Sequence, residues 1–198
     1  MDQPQLRGDF YAPMNRNKQP GDKRAMFVGR LSKPGEDSKH SFQLWAHPYT
    51  NPKTGEQLVS FSGYFDAVSP DALPMDQIHA LLAANPDQAE RIIGNLKLQP
   101  GQIALFPNGF KAEAPEKNRP DYWGWVNPHD GTEPFKPSVW FKKFDDGRVY
   151  MSGATSYHQP GKSEAERQDD LAAASKLIAE GVVTKGMPKA KGRGGRGE

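Results

Sequence analysis

At 198 residues, with 26 Lys and Arg against 24 Asp and Glu and a formal net charge of +2, the chain can bury a full core, but it lacks the basic surplus of a strong non-specific polyanion binder. It has no cysteine, which excludes thiol catalysis, zinc–thiolate sites and iron–sulfur ligation and fits a reducing cytoplasm. No apolar run approaches the roughly 20 residues that cross a bilayer, and MDQPQLRGDF has no basic-then-apolar leader pattern, so a cytoplasmic protein without a membrane partner is expected.

Residues 1–24 are polar and aperiodic and read as a loose N-terminal arm. From Ala25 the segments AMFVGRL, SFQLWAH and QLVSFSGYF, separated by turn-rich loops, predict a three-stranded meander over 25–68. The period then changes over 69–110. MDQIHALLAA sets Met75, Ile78, Leu81 and Leu82 on one helical stripe, and Asn85-Pro86 opens a second short helix ended by Gly94. NLKLQPGQIALF predicts a hairpin turning at Pro100-Gly101. After a polar linker, strands return over 118–160 as DYWGWVN, SVWFKKF and RVYMSGATSY, with HDGTEPFKP as a loop and a turn at Asp145-Asp146-Gly147. Ser163-Glu164-Ala165-Glu166 is a capping box for a helix over 163–181, and 182–198 is a Gly-rich basic tail.

The two meanders align. Phe27 falls on Tyr122, Gly29 on Gly124, Leu31 on Val126, Trp45 on Trp140, Gly55 on Gly147 and Ser62-Gly63 on Ser152-Gly153. Such an ordered set reads as an internal duplication. The expected fold class is α+β, with duplicated antiparallel three-stranded β-meanders, a two-helix insert and a C-terminal helix.

Strand alternation places Phe42 and Leu44 on one face and Gln43 and Trp45 on the other; likewise Val139 and Phe141 oppose Ser138, Trp140 and Lys142. Each repeat therefore sets an equivalent tryptophan on its more polar face. Two readings follow: core, if helices or the other repeat cover these rings, or an aromatic platform that stacks on a base or a partner side chain. The candidate binding residues are Trp45 and Trp140, with Tyr122, Trp123 and Trp125 adding aromatic density. Lys53, Lys142, Lys143 and Arg148 supply cations, and Arg193 and Arg196 of the tail add reach to phosphates.

The histidines His40, His47, His79, His129 and His158 show no metal-ligand spacing, Asp145-Asp146 is accounted for by turn chemistry, and no phosphate-cradling glycine loop or nucleophile elbow is present. No metal, cofactor or catalytic residue is expected. At NRPDYWGWVN…SVWFKKFDDGRVYMSGA the chain resembles short, largely uncharacterised β-rich proteins of phages and conjugative elements, over 118–154 and more faintly over 27–63. The resemblance implies a small β-fold of mobile-element origin and transfers no catalytic residue. Two functions are open. One is a single-stranded nucleic-acid binder that stacks on its aromatics. The other is a plasmid or phage protein-interaction factor inhibiting a host or rival-plasmid machine, such as conjugation or defence.

Overall fold

Alternating inward residues run through eight strands in the computed structural model, which describes residues 5–66 and 75–158. The strands are β1 (Arg7–Pro13), β2 (Phe27–Leu31), β3 (His40–Thr50), β4 (Gln57–Phe65), β5 (Gln102–Pro107), β6 (Tyr122–Val126), β7 (Phe135–Lys143) and β8 (Val149–Tyr157). Each pairs antiparallel with its neighbour in sequence. β8 also pairs β1, from Arg7 opposite Ser156 to Pro13 opposite Tyr150, so the sheet closes on itself and has no free edge.

The expected α+β arrangement of open meanders is thus corrected to a closed eight-stranded barrel. Alternation tells which face a strand buries; it does not tell whether the sheet closes. The closing strand β1 lies in the segment read as a loose arm. Its inward residues Gly8, Phe10 and Ala12 include one large apolar side chain and alternate with Arg7, Asp9 and Tyr11, a weak signal among polar neighbours. The hairpin expected around Pro100-Gly101 is also replaced, because only Gln102–Pro107 is a strand and its partners are β4 and β6. The expected helix over 163–181 and the basic tail lie outside the described residues. The two-helix insert sits where the periodicity placed it, as α1 (Met75–Ala84), a 3-10 turn at Pro86–Gln88 and α2 (Ala89–Gly94).

The repeated unit is four strands long, one more than the sequence motif. Phe10 pairs Leu31 and Gly153, as Ile103 pairs Val126 and Gly63; Phe27 pairs Leu44, as Tyr122 pairs Val139. Strands β1–β4 therefore map onto β5–β8 in register. The matched glycines mark the tightest approaches. A Cβ on Gly63 would land on the carbonyl oxygen of Gln43, and one on Gly153 on that of Ser138, which makes glycine obligatory at both.

Phe10, Phe27, Phe42, Phe61, Phe65 and Phe135 fill the interior together with Leu, Ile, Val and Met side chains. An eight-stranded barrel has a lumen just wide enough to be packed by side chains. A second apolar cluster lies outside the barrel, where Met75, Ile78, Leu82 and Ile93 of the insert cover Ala104 and Phe106 of β5 and Trp125 of β6. Elsewhere many outward positions carry polar or charged side chains, as at Asp9, Arg30, Gln43 and Lys142. Among the described residues no helix is long and apolar enough to cross a membrane.

Candidate functional site

Trp45 and Trp140 both project from the outside of the barrel and both are half-buried. They do not share a surface: β3 and β7 are four strands apart in a ring of eight, so the indoles sit on opposite sides. Their surroundings also differ. Trp45 donates its Nε1–H to the Lys23 carbonyl at 2.9 Å and meets Tyr64 edge-on at 5.2 Å, so the loop before β2 ties it down. The Trp140 Nε1 is buried and has no hydrogen-bond partner among the described residues.

The remaining predicted aromatics divide between core and surface. Tyr122 points into the barrel, donates its hydroxyl to the Val59 carbonyl at 2.7 Å, and has its pKa pushed up to about 12, chiefly by burial. Trp125 is buried beneath the insert with its Nε1–H on the Ile93 carbonyl at 3.1 Å. Trp123 is half-buried at the rim of that cluster. The Lys136 ammonium lies 4.9 Å from its ring centroid and 5.4 Å from that of Trp125, and burial lowers the Lys136 pKa. Lys53 is engaged with Asp87 at 2.6 Å on the insert side. Lys142 and Lys143 are exposed at the end of β7, and Lys142 donates to the Ser152 hydroxyl at 3.2 Å. Arg148 pairs with Asp146 at 2.6 Å while its guanidinium carbon lies 5.1 Å from the Phe144 ring centroid. Arg193 and Arg196 lie outside the described residues.

The face that gathers aromatic rings and cations is built on β2, β1, β8 and β7. Register places Arg30, Tyr11, Ser152 and Trp140 side by side in one row across these four strands. Tyr11 and Trp140 stand two strands apart, about 9–10 Å at the usual strand spacing. Beside the row, Tyr11 meets Tyr150 at 5.7 Å, and Tyr150 stacks on Phe144 of the β7–β8 turn at 4.4 Å. A groove of about 300 Å³ runs between Tyr11, Met14, Arg16, Val28, Phe144 and Arg148. Tyr11, Met14 and Val28 are each more than 40% exposed, an unusual concentration of apolar surface on a polar barrel, and no described element covers them.

Cations outnumber acids on this face. Arg16, Arg30, Lys142 and Arg148 stand with Asp9, Asp145 and Asp146, of which Asp9 is engaged by Lys39 and Asp146 by Arg148. Hydrogen bonds from Arg148, with the charges of Arg148 and Arg16, hold the Asp146 carboxyl below the usual range. Of this face, sequence reasoning named Trp140, Lys142, Lys143 and Arg148 and missed Tyr11, Arg16, Arg30, Phe144 and Tyr150. The alternation of Arg7, Asp9 and Tyr11 with Gly8, Phe10 and Ala12 was the signal for β1 and hence for Tyr11.

Two serine–histidine pairs also went unseen. Ser62 Oγ lies 2.7 Å from His47 Nε2, and Ser60 Oγ 2.6 Å from His79 Nε2. Ser60 is fully buried beneath α1, so no substrate can reach it as a nucleophile. No family model, curated protein or solved structure matches this chain, and its function rests on the geometry above.

Proposed function

We propose that this protein is a non-catalytic binder of single-stranded nucleic acid, and that the strand lies across the outer face of β1, β8 and the β7–β8 turn. The observation that carries this reading is the row Arg30–Tyr11–Ser152–Trp140, exposed at Arg30 and Tyr11 and half-buried at Trp140, beside the Phe144–Tyr150 stack and flanked by Arg16, Lys142 and Arg148. Bases stack on aromatic rings whatever their sequence, while lysine and arginine follow the phosphates. The groove beside Tyr11 would accept one base, with Arg16 and Arg148 at its rim for the backbone. With a formal net charge of only +2, affinity rests on stacking and on this local surplus of cations, and its salt dependence is moderate. A mobile-element origin and a cytoplasmic setting belong to the same proposal.

The test is titration of the full chain with oligonucleotides of about 4–16 nucleotides, the span of small single-strand sites, at low salt. Binding that quenches tryptophan emission in the native chain, with much less quenching in Trp140→Phe and lost affinity in Tyr11→Ala, is the expected result. Absence of any quenching or gel shift overturns the proposal. The exposed Met14, Val28, tyrosines and arginines also have the composition of a protein interface. Capture of one stoichiometric bacterial protein that survives nuclease treatment and is lost in Tyr11→Ala would assign the same face to a protein partner instead.

A further inference from the structure

The two halves of the barrel differ at one set of equivalent positions under the insert. Register makes His47 the counterpart of Lys142, Ser60 that of Tyr150, and Ser62 that of Ser152. On the open half, Lys142 donates to Ser152 and Tyr150 stacks on the turn. On the covered half, His47 bonds Ser62, and α1 brings in a second imidazole, His79, which bonds the buried Ser60 and stacks on Tyr49 at a centroid distance of 4.2 Å. A lysine on one face is thus matched by a histidine on the other.

We propose that His47 and His79 form an acid-sensitive latch, and that protonation releases α1 from the barrel and uncovers the outer face of β5 beneath it. The docked arrangement favours both rings neutral. Each is half-buried, and their positive charges would repel across the β3–α1 contact. Little nearby would offset them. Asp76 on α1 is the acid that favours a charged His79, Tyr49 on β3 is neutral, and the Asp87 carboxylate before α2 is already engaged by Lys53. The outward residues of β5 facing the insert, Ala104 and Phe106, carry no charge. Burial, joined for His79 by the charge of His47, sets both imidazoles below their ordinary pKa.

The sign follows from linkage. With the docked pKa depressed, the released state binds more protons, so docking is complete above about pH 6.5 and is lost as pH falls from there through the docked values. Release would further expose Phe106 and Trp123 beside a cationic His47, while Trp125 stays under α2 with its indole on the Ile93 carbonyl. The inference does not depend on what the open face binds.

Amide hydrogen exchange on the full chain between pH 7.5 and 5.0, corrected for intrinsic rates, with proton NMR titration of the imidazoles, tests the latch. Both rings should titrate below about 6.5. Protection of the α1 amides should fall as pH drops below about 6.5, while β1 and β8 stay protected. The double variant His47→Gln, His79→Gln keeps a hydrogen-bonding group at each serine and should lose the pH dependence. Protection of α1 that is independent of pH, imidazoles titrating at or above 6.5, or an unchanged pH response in the variant overturns the latch. If the variant fails to fold, the two measurements on the native chain decide.

Discussion

Two faces of this barrel are built on the same backbone and carry opposite surfaces. On β5 and β6 the outward residues are Ala104, Phe106, Trp123 and Trp125, and the insert buries most of them. On β1 and β2 the equivalent positions hold Tyr11, Pro13, Val28 and Arg30, and among the described residues nothing covers them. The matched rows read Trp125–Ala104–Ser62–Trp45 on one side and Arg30–Tyr11–Ser152–Trp140 on the other. The strands set where side chains stand; the apolar set Ala104, Phe106 and Trp125, which the insert can cover, and the exposed Tyr11 and Arg30 then decide which face is scaffold and which is surface. A repeat can conserve its frame, here Gly29, Gly63, Gly124 and Gly153, while its two outer faces diverge in role.

The sharpest way to break this comparison is to truncate one member of the Trp125–Arg30 pair at a time. Trp125 is buried, bonded through its indole and packed by Ile93 and Leu98, so Trp125→Ala should cost about 3–5 kcal/mol of unfolding free energy. Arg30 is exposed, and Arg30→Ala should stay within about 0.5 kcal/mol. Denaturant titration of both variants measures the difference, and equal costs would mean that the two faces are not distinguished by cover. The frame should respond symmetrically. Gly63→Ala and Gly153→Ala each force a Cβ onto a neighbouring carbonyl, and each should lose roughly 1–3 kcal/mol in the same titration.

How much of this was legible in the sequence follows from the kind of signal each element carries. Strands β2, β3 and β7 announce themselves by alternation, β4, β6 and β8 by aromatic and β-branched runs between turns, and α1 by its stripe of Met75, Ile78 and Leu82. The outward setting of Trp45 and Trp140 also follows from alternation alone. Closure does not, because it depends on β1, whose inward residues include a glycine and an alanine and contribute little apolar periodicity. That omission hid Tyr11 and Arg30, and it made Trp45 and Trp140 look like partners on one platform. Separation by four strands is a property of the closed ring, which no local pattern encodes. The cover over Trp125 was hidden for another reason: periodicity shows that a helix has an apolar side, and not which strand that side will cover.

If the open face binds and the covered one does not, truncating rings on the two faces should separate affinity from stability. Tyr11→Ala removes a 44%-exposed ring and should weaken oligonucleotide binding by about 1–3 kcal/mol, tenfold or more, at little cost to folding. Trp45→Ala, on β3 and outside the Arg30–Tyr11–Ser152–Trp140 row, should leave affinity unchanged even though it loses the Lys23 hydrogen bond and the Tyr64 contact. Fluorescence anisotropy of a labelled oligonucleotide reads both. Equal losses from the two variants would place the ligand elsewhere.

The smallest effect is the one that separates phosphate contact from stacking. Each cation that neutralises a phosphate adds about one to the slope of log affinity against log salt, so removing one should flatten the slope by roughly that amount without changing sequence preference. Arg16 and Arg148 are not equivalent in this respect. Arg148 is already paired with Asp146 and held against Phe144, so a phosphate must displace the carboxylate and the net ion release is smaller. Arg16→Ala should therefore flatten the slope more than Arg148→Ala, and Asp146→Asn, which frees Arg148, should steepen it. Lys53→Ala, on the insert side and engaged with Asp87, should leave the slope where it is. A slope that responds to Lys53 and ignores Arg16 would move the polyanion from the open half of the barrel to the covered one.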